Sequence, residues 1–231
     1  MPGRPHPLLT NQIYHVYNKT INRNKLFIDD FNCGQFMTDI WYYRSSASVI
    51  RLSNLNKLND EYKKVYLEKI ENDNLFRVSI LTYVLMPTHY HFILKQKQDK
   101  GISSFISLIQ NSFTRFYNIK NNLNGPIFVH RFKSKLIVSE EQLKHTSRYI
   151  HLNPYTSNIV KDLKSLIRYP WSSLKSFIYS SKDSLTEIKD ILSLFNHNKG
   201  NYKKFIFDRA DYQKTLEICK YAEKQLYTSE V

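Results

Sequence analysis

The feature that most constrains the fold is an apolar run that stops at a turn and resumes as an alternating one. Phe76, Val78, Ile80, Leu81, Tyr83, Val84 and Leu85 crowd together, Met86-Pro87-Thr88 breaks them off, and His89 to Lys95 then alternates. A short apolar run bounded by turn residues reads as a buried strand, and alternation reads as a strand with one face covered. So short a turn makes the pair antiparallel. Earlier, Ile13, His15 and Tyr17 alternate with Tyr14 and Val16, which predicts a strand over 12–18. Later, 127–138 reads as another extended stretch, with Arg131, Lys133 and Lys135 on one face.

Helical signals lie between these strands. Asp29 and Asp30 stand where a helix is capped, ahead of Phe36, Met37, Ile40 and Trp41. Gly101 opens a long helix whose apolar face is Ile102, Phe105, Ile106, Ile109, Phe113, Phe116 and Tyr117. Ser139, with Gln142 three residues on, has the pattern of a capping box. Pro154 is expected to end that helix, because the residue before a proline is pushed out of the helical region. Further helices are expected over 157–168, 172–180, 184–195 and 210–226. The class is therefore α+β with an antiparallel sheet. Residues 8–180 form one domain. It carries a polar surface insertion at 45–75, whose short helix holds Tyr62, Val65, Tyr66 and Ile70, and 181–231 is a helical C-terminal extension.

The net charge is +14 on 231 residues. So large a charge opposes a compact fold, and a polyanion, nucleic acid before an anionic membrane surface, is the simplest partner for it. A Lys- and Asn-rich composition drifting in an AT-rich genome gives the same number. Two distant cysteines, Cys33 and Cys219, make no disulfide framework. No signal peptide is evident and no run of 18 apolar residues occurs, so the expectation is a cytoplasmic protein without a membrane span.

Three constellations carry chemistry. His89 and His91 are two apart on a strand, so both imidazoles leave one face and can share a divalent ion. By itself the spacing equally describes two plain sheet histidines. Tyr149 and Asn153 are four apart on a helix, hence one turn from each other on one face, with Leu143, Ser147 and Ile150 on the other. Arg115, Arg131, Lys133, Lys135 and Arg148 surround these positions and suit phosphates, though each also suits an ordinary solvated face.

These blocks resemble the single-tyrosine HUH transposases, and within them the REP-associated branch. The matching residues are Met86-Pro87-Thr88-His89-Tyr90-His91-Phe92, Gly125-Pro126-Ile127-Phe128, Arg131-Phe132-Lys133-Ser134 and Arg148-Tyr149-Ile150-His151-Leu152-Asn153-Pro154. Ile13-Tyr14-His15-Val16 and Tyr169-Pro170-Trp171-Ser172-Ser173 agree as well, so the resemblance spans roughly residues 10–180. Thr88 stands where Asn is common, Val129-His130 replaces a polar-plus-small pair, and residues after about 180 match weakly.

The resemblance implies a ferredoxin-like, RRM-like antiparallel sheet with helices on one face. It implies Mg²⁺ or Mn²⁺ held by His89, His91 and Asn153, and Tyr149 as nucleophile. The substrate would be single-stranded or hairpin DNA, and the product a 5′-phosphotyrosine. It also admits a homodimer, in which Tyr149 of one chain would act with His89 and His91 of the other. A free phenol ionises near pH 10, so such a nucleophile gives up its proton as it attacks. Two other readings remain at this point. One is a non-catalytic hairpin DNA- or RNA-binding protein derived from a transposase. The other is a zinc hydrolase, which needs a third strong ligand and a general base; no H-E-x-x-H pattern supplies them.

Overall fold

A computed structural model describes residues 7–179 and 185–216. They fall into two compact units, one drawn from Met1–Leu81 and Pro87–Val138, the other from Thr82–Met86 and Ser139–Val231. This partition cuts inside the expected 8–180 domain.

Strands β1 (Ile13–Lys19), β2 (Val78–Met86), β3 (His89–Gln96) and β4 (Lys133–Leu136) form one sheet in the order β2-β3-β1-β4; all but Thr82–Met86 of β2 belong to the first unit. Helix α1 (Asp30–Tyr43) links β1 to β2, and α3 (Gly101–Asn121) links β3 to β4. This is the βαββαβ arrangement of a ferredoxin-like sheet, and β1 pairs antiparallel with both β3 and β4. Helix α2 (Asp60–Glu71) lies in the insertion.

Strand parity decides what is buried. Tyr14, Val16, Tyr90, Phe92 and Leu94 are each at most 4% exposed. They meet α1 and α3 through rings such as Phe36 on Tyr90 at 5.5 Å and Phe92 on Phe105 at 6.1 Å. Phe27, Phe36, Phe113 and Phe128 close the core beside them. Each buried ring contributes roughly 1.5–3 kcal/mol. Asp29 caps α1 by accepting from the Asn32 N–H at 2.6 Å, and Asn122 ends α3 in the left-handed conformation.

Two features of this layer are tight. A Cβ added to Gly101 would lie 2.2 Å from the Arg77 carbonyl oxygen, so α3 can start this close to the chain entering β2 only with glycine. Asp39 is wholly buried on α1 and accepts hydrogen bonds from Ser112 at 2.8 Å and Gln35 at 3.4 Å, while its second oxygen has no partner. Burial pushes its carboxyl up to about 7, against the pull of those two hydrogen bonds.

The second unit centres on α4 (Glu140–Thr156), with α5 (Leu163–Arg168), α6 (Leu174–Ile178), α7 (Lys189–Leu192) and α8 (Lys199–Phe207). Ser139 caps α4, accepting from the Gln142 N–H at 3.1 Å. His151 anchors the helix from its buried side. Its Nδ1 pairs with the Tyr202 hydroxyl at 2.7 Å and its Nε2 with Ser173 Oγ at 2.8 Å. Ser173 in turn receives the Tyr83 N–H at 2.9 Å. Burial alone holds this imidazole neutral, at about 3.

The structure departs from the sequence reading at four places. Pro154 lies inside α4, which runs on to Thr156. Every residue from Ile150 to Thr156 is buried, and that packing outweighs the one helical hydrogen bond the proline cannot donate. The extended stretch 127–138 is interrupted. Phe128 makes an isolated bridge to Thr20, Arg131 turns at φ 66°, and only Lys133–Leu136 forms a strand. Tyr62 and Val65 of α2 are 70% and 50% exposed, so the helix packs through Tyr66 and Ile70 instead. Helix α8 falls where no helix was expected, while the one expected over 210–226 is seen at 210–216, the rest lying outside the described residues. Among the described residues no helix is long and apolar enough to cross a membrane.

Gly101→Ala should cost about 1–3 kcal/mol in urea unfolding, because backbone must shift to admit the methyl group. Asp39 binds its proton more tightly folded than unfolded, so its contribution is present below about pH 4 and is lost as pH rises through about 7. Asp39→Asn should remove a pH-dependent loss of up to about 4 kcal/mol, raising stability at pH 8 relative to the parent and changing it least at pH 4.

Candidate active site

The face of the sheet turned away from α1 and α3 carries the odd-numbered residues of β1 and β3. The register pairs Tyr17 with His91, His15 with Ile93 and Lys19 with His89, and directly paired residues share a face. On the other side β4 pairs Lys135 with His15 and Lys133 with Tyr17. Three imidazoles, the Tyr17 phenol and four lysines, Lys19, Lys95, Lys133 and Lys135, thus belong to one face.

Their geometry is close. His15 Nε2 and His91 Nδ1 share a hydrogen bond at 2.9 Å, and their rings stack at 5.2 Å. Tyr17 stacks on His91 at 5.5 Å. The His89 ring stands edge-on to His91 at 5.2 Å, and its Nδ1 pairs with Thr88 Oγ1 at 2.9 Å. All three histidines are neutral at pH 7. His89 is lowered to about 4 by burial and then by Arg23, and His15 to about 4 by burial and then by Lys135. His91 is lowered well below its ordinary value by burial and by its two neighbouring imidazoles.

Sequence reasoning placed His15 on one side of a strand and gave it no role. The signal was available in its parity, but its meeting with His91 depends on the β1–β3 register, which a pattern along one strand does not contain.

Tyr149 and Asn153 lie on α4. Tyr149 is half-buried, and Leu143, Ser147 and Ile150 are buried as expected. Asn153 is 5% exposed and its Nδ2 is buried without a hydrogen-bond partner. Arg148 packs its guanidinium 4.4 Å from the centre of the Phe205 ring and contacts His145 Nδ1 at 2.6 Å. Desolvation, then Arg209, lowers its pKa, against Glu141.

The histidines belong to the first unit, Tyr149 and Asn153 to the second. Within the first unit, Lys133 and Lys135 share the histidine face and are exposed. Arg131 is exposed in the bend before β4 and so is not on its strand. Arg115 sits on α3, in the helical layer on the opposite side of the sheet.

The donor set suits a divalent ion. A ligating imidazole must be neutral, and its second nitrogen is ordinarily fixed by a hydrogen bond. His89 and His91 each place Nδ1 against a protein partner, Thr88 Oγ1 and His15 Nε2 respectively. Among the described residues no three His, Cys, Asp or Glu side chains are arranged to hold a metal.

No family model matches the chain. A curated relative, described as probable polyketide synthase 38 of Dictyostelium discoideum, is 29% identical over 111 residues. That match covers 47% of this chain and 3% of the relative's length, too little of that protein to bear on activity. Among solved structures, a REP-associated tyrosine transposase bound to a REP hairpin is similar at a TM-score of 0.55 and 16% identity, over 81% of this chain and 90% of that one. The chain thus has the fold of a REP-associated tyrosine transposase.

Proposed function

We propose that this chain is a single-tyrosine DNA nickase and strand transferase of the transposase type, acting on single-stranded or hairpin DNA. The observation that carries this is the pair His89 and His91: both neutral, both held through Nδ1, on a sheet face that also bears Tyr17, Lys133 and Lys135. The shared fold and the order of the sequence blocks support the same reading.

In this reading His89, His91 and Asn153 would hold Mg²⁺ or Mn²⁺, which supplies charge neutralisation on the scissile phosphate. Imidazole suits manganese better than magnesium, which favours oxygen ligands. Lys133, Lys135 and Arg131 place the phosphodiester by contacts that carry no base information. Arg148, braced on Phe205, adds charge beside the nucleophile. The Tyr149 oxygen attacks phosphorus and loses its proton. The bond from phosphorus to the 3′ oxygen breaks, and that oxygen leaves as a hydroxyl after taking up a proton. The 5′-phosphotyrosine keeps the bond energy, so attack by a 3′-hydroxyl rejoins strands without a nucleotide cofactor. His151 does no chemistry in this scheme. It fixes the rotation of α4 and thereby the direction of Tyr149.

Labelled hairpin DNA with single-stranded flanks, taken from the protein's own locus and incubated with Mn²⁺, should yield a denaturation-resistant protein–DNA adduct. Tyr149→Phe should abolish it, and chelation or His91→Ala should lower its rate by at least about 10²-fold. Salt-sensitive binding with no adduct under any of these conditions would instead establish a non-catalytic hairpin binder.

A further inference from the structure

The helical layer of the first unit holds a groove that the proposed chemistry does not use. It measures about 1080 Å³ and runs between α1, the turn Leu52–Lys57, α2 and α3, all inside that unit. It slightly exceeds the roughly 300–1,000 Å³ of a small-molecule pocket and is partly open to solvent. Part of its wall, including Arg51, Leu52 and Lys63, comes from the 45–75 insertion.

Its chemistry is of two kinds. The apolar part is aromatic: Trp41, and Phe31 with its ring 5.5 Å from that of Phe116. Phe31 is 65% exposed, unusual for so large an apolar side chain. The polar part is cationic: Arg51, Lys63, Arg115 and Lys120 line the groove, and among the described residues no carboxylate does. Lys120 is engaged by Asp29 at 3.8 Å and lies over the Phe31 ring. Arg51 and Arg115 have no ion pair among the described residues. Flat rings beside uncompensated guanidinium groups suit bases and phosphates together. A second copy of the chain docking face to face would oppose the same cations, which like-charge repulsion disfavours.

We propose that this groove binds a stretch of single-stranded DNA flanking the hairpin, with bases on Trp41, Phe31 and Phe116 and phosphates on Arg51 and Arg115. This rests on the DNA-processing reading above and adds to it a strand-guiding surface, created by the insertion, on the sheet side opposite the histidines.

The chain has two tryptophans, Trp41 and Trp171, so Trp171→Phe leaves one indole, in the groove. Its fluorescence should be quenched, saturably, by a hairpin with a mixed-sequence single-stranded extension and not by the same hairpin without it. Independently, Arg51→Gln/Arg115→Gln in the otherwise natural chain should narrow the affinity gap between extended and bare hairpin. It should also reduce the salt dependence of binding the extended one by about 1.4, at roughly 0.7 per phosphate contact on a single strand. Equal quenching by both DNAs, no quenching, or an unchanged gap and salt slope in the arginine variant would overturn the proposal. The Tyr149 adduct reads the nickase separately. Trp41 quenching without an adduct keeps the groove and removes the nickase, and an adduct without quenching does the reverse.

Discussion

Everything at the histidine face depends on the antiparallel register between β1 and β3. Because side chains alternate with period two, this one pairing sends Tyr14, Val16, Tyr90, Phe92 and Leu94 into the aromatic core and sends His15, Tyr17, His89 and His91 out on the other side. A slip of one residue would bury imidazoles against Phe36 and Phe105 and expose the core rings. The same hydrophobic demand that folds the sheet therefore assembles the imidazole cluster. The cost is desolvation, which keeps the three rings uncharged in a chain of net charge +14.

The second unit solves a different problem, how to hold a half-buried tyrosine at a fixed azimuth on a helix. Burial from Ile150 to Thr156 and the His151–Tyr202–Ser173 hydrogen bonds fix α4 from behind. A helix locked by a buried polar network presents its remaining face with little freedom, as the proposed role of Tyr149 would require. One turn on, the Asn153 side-chain Nδ2 is buried without a hydrogen-bond partner.

Much of this was legible in the chain. Alternation located β1 and β3, Asp29 and Ser139 marked two helix starts, and the α3 stripe from Ile102 to Phe113 is buried as its spacing predicts. What was not legible has a common cause, the dependence of local structure on distant packing. Pro154 reads as a stop and is overridden by the burial around it. Arg131 reads as a strand residue and instead turns the chain at positive φ. His15 reads as one more polar strand position until β3 is laid beside it. Arg115 reads as a companion of the histidines, yet α3 carries it to the other side of the sheet, where the insertion gives it a different neighbourhood.

On the proposed mechanism the phenol of Tyr149, and no other, becomes covalently linked to DNA. Tyr17 makes the question sharp, since it stacks on His91 in the same unit. The direct measurement is to trap the adduct on hairpin DNA, digest DNA and protein, and sequence the modified peptide by mass spectrometry. The proposed chemistry leaves one 5′-linked nucleotide remnant on the peptide that contains Tyr149. A remnant on Tyr17, a 3′ linkage, or hairpin binding with no modified peptide at all would contradict it.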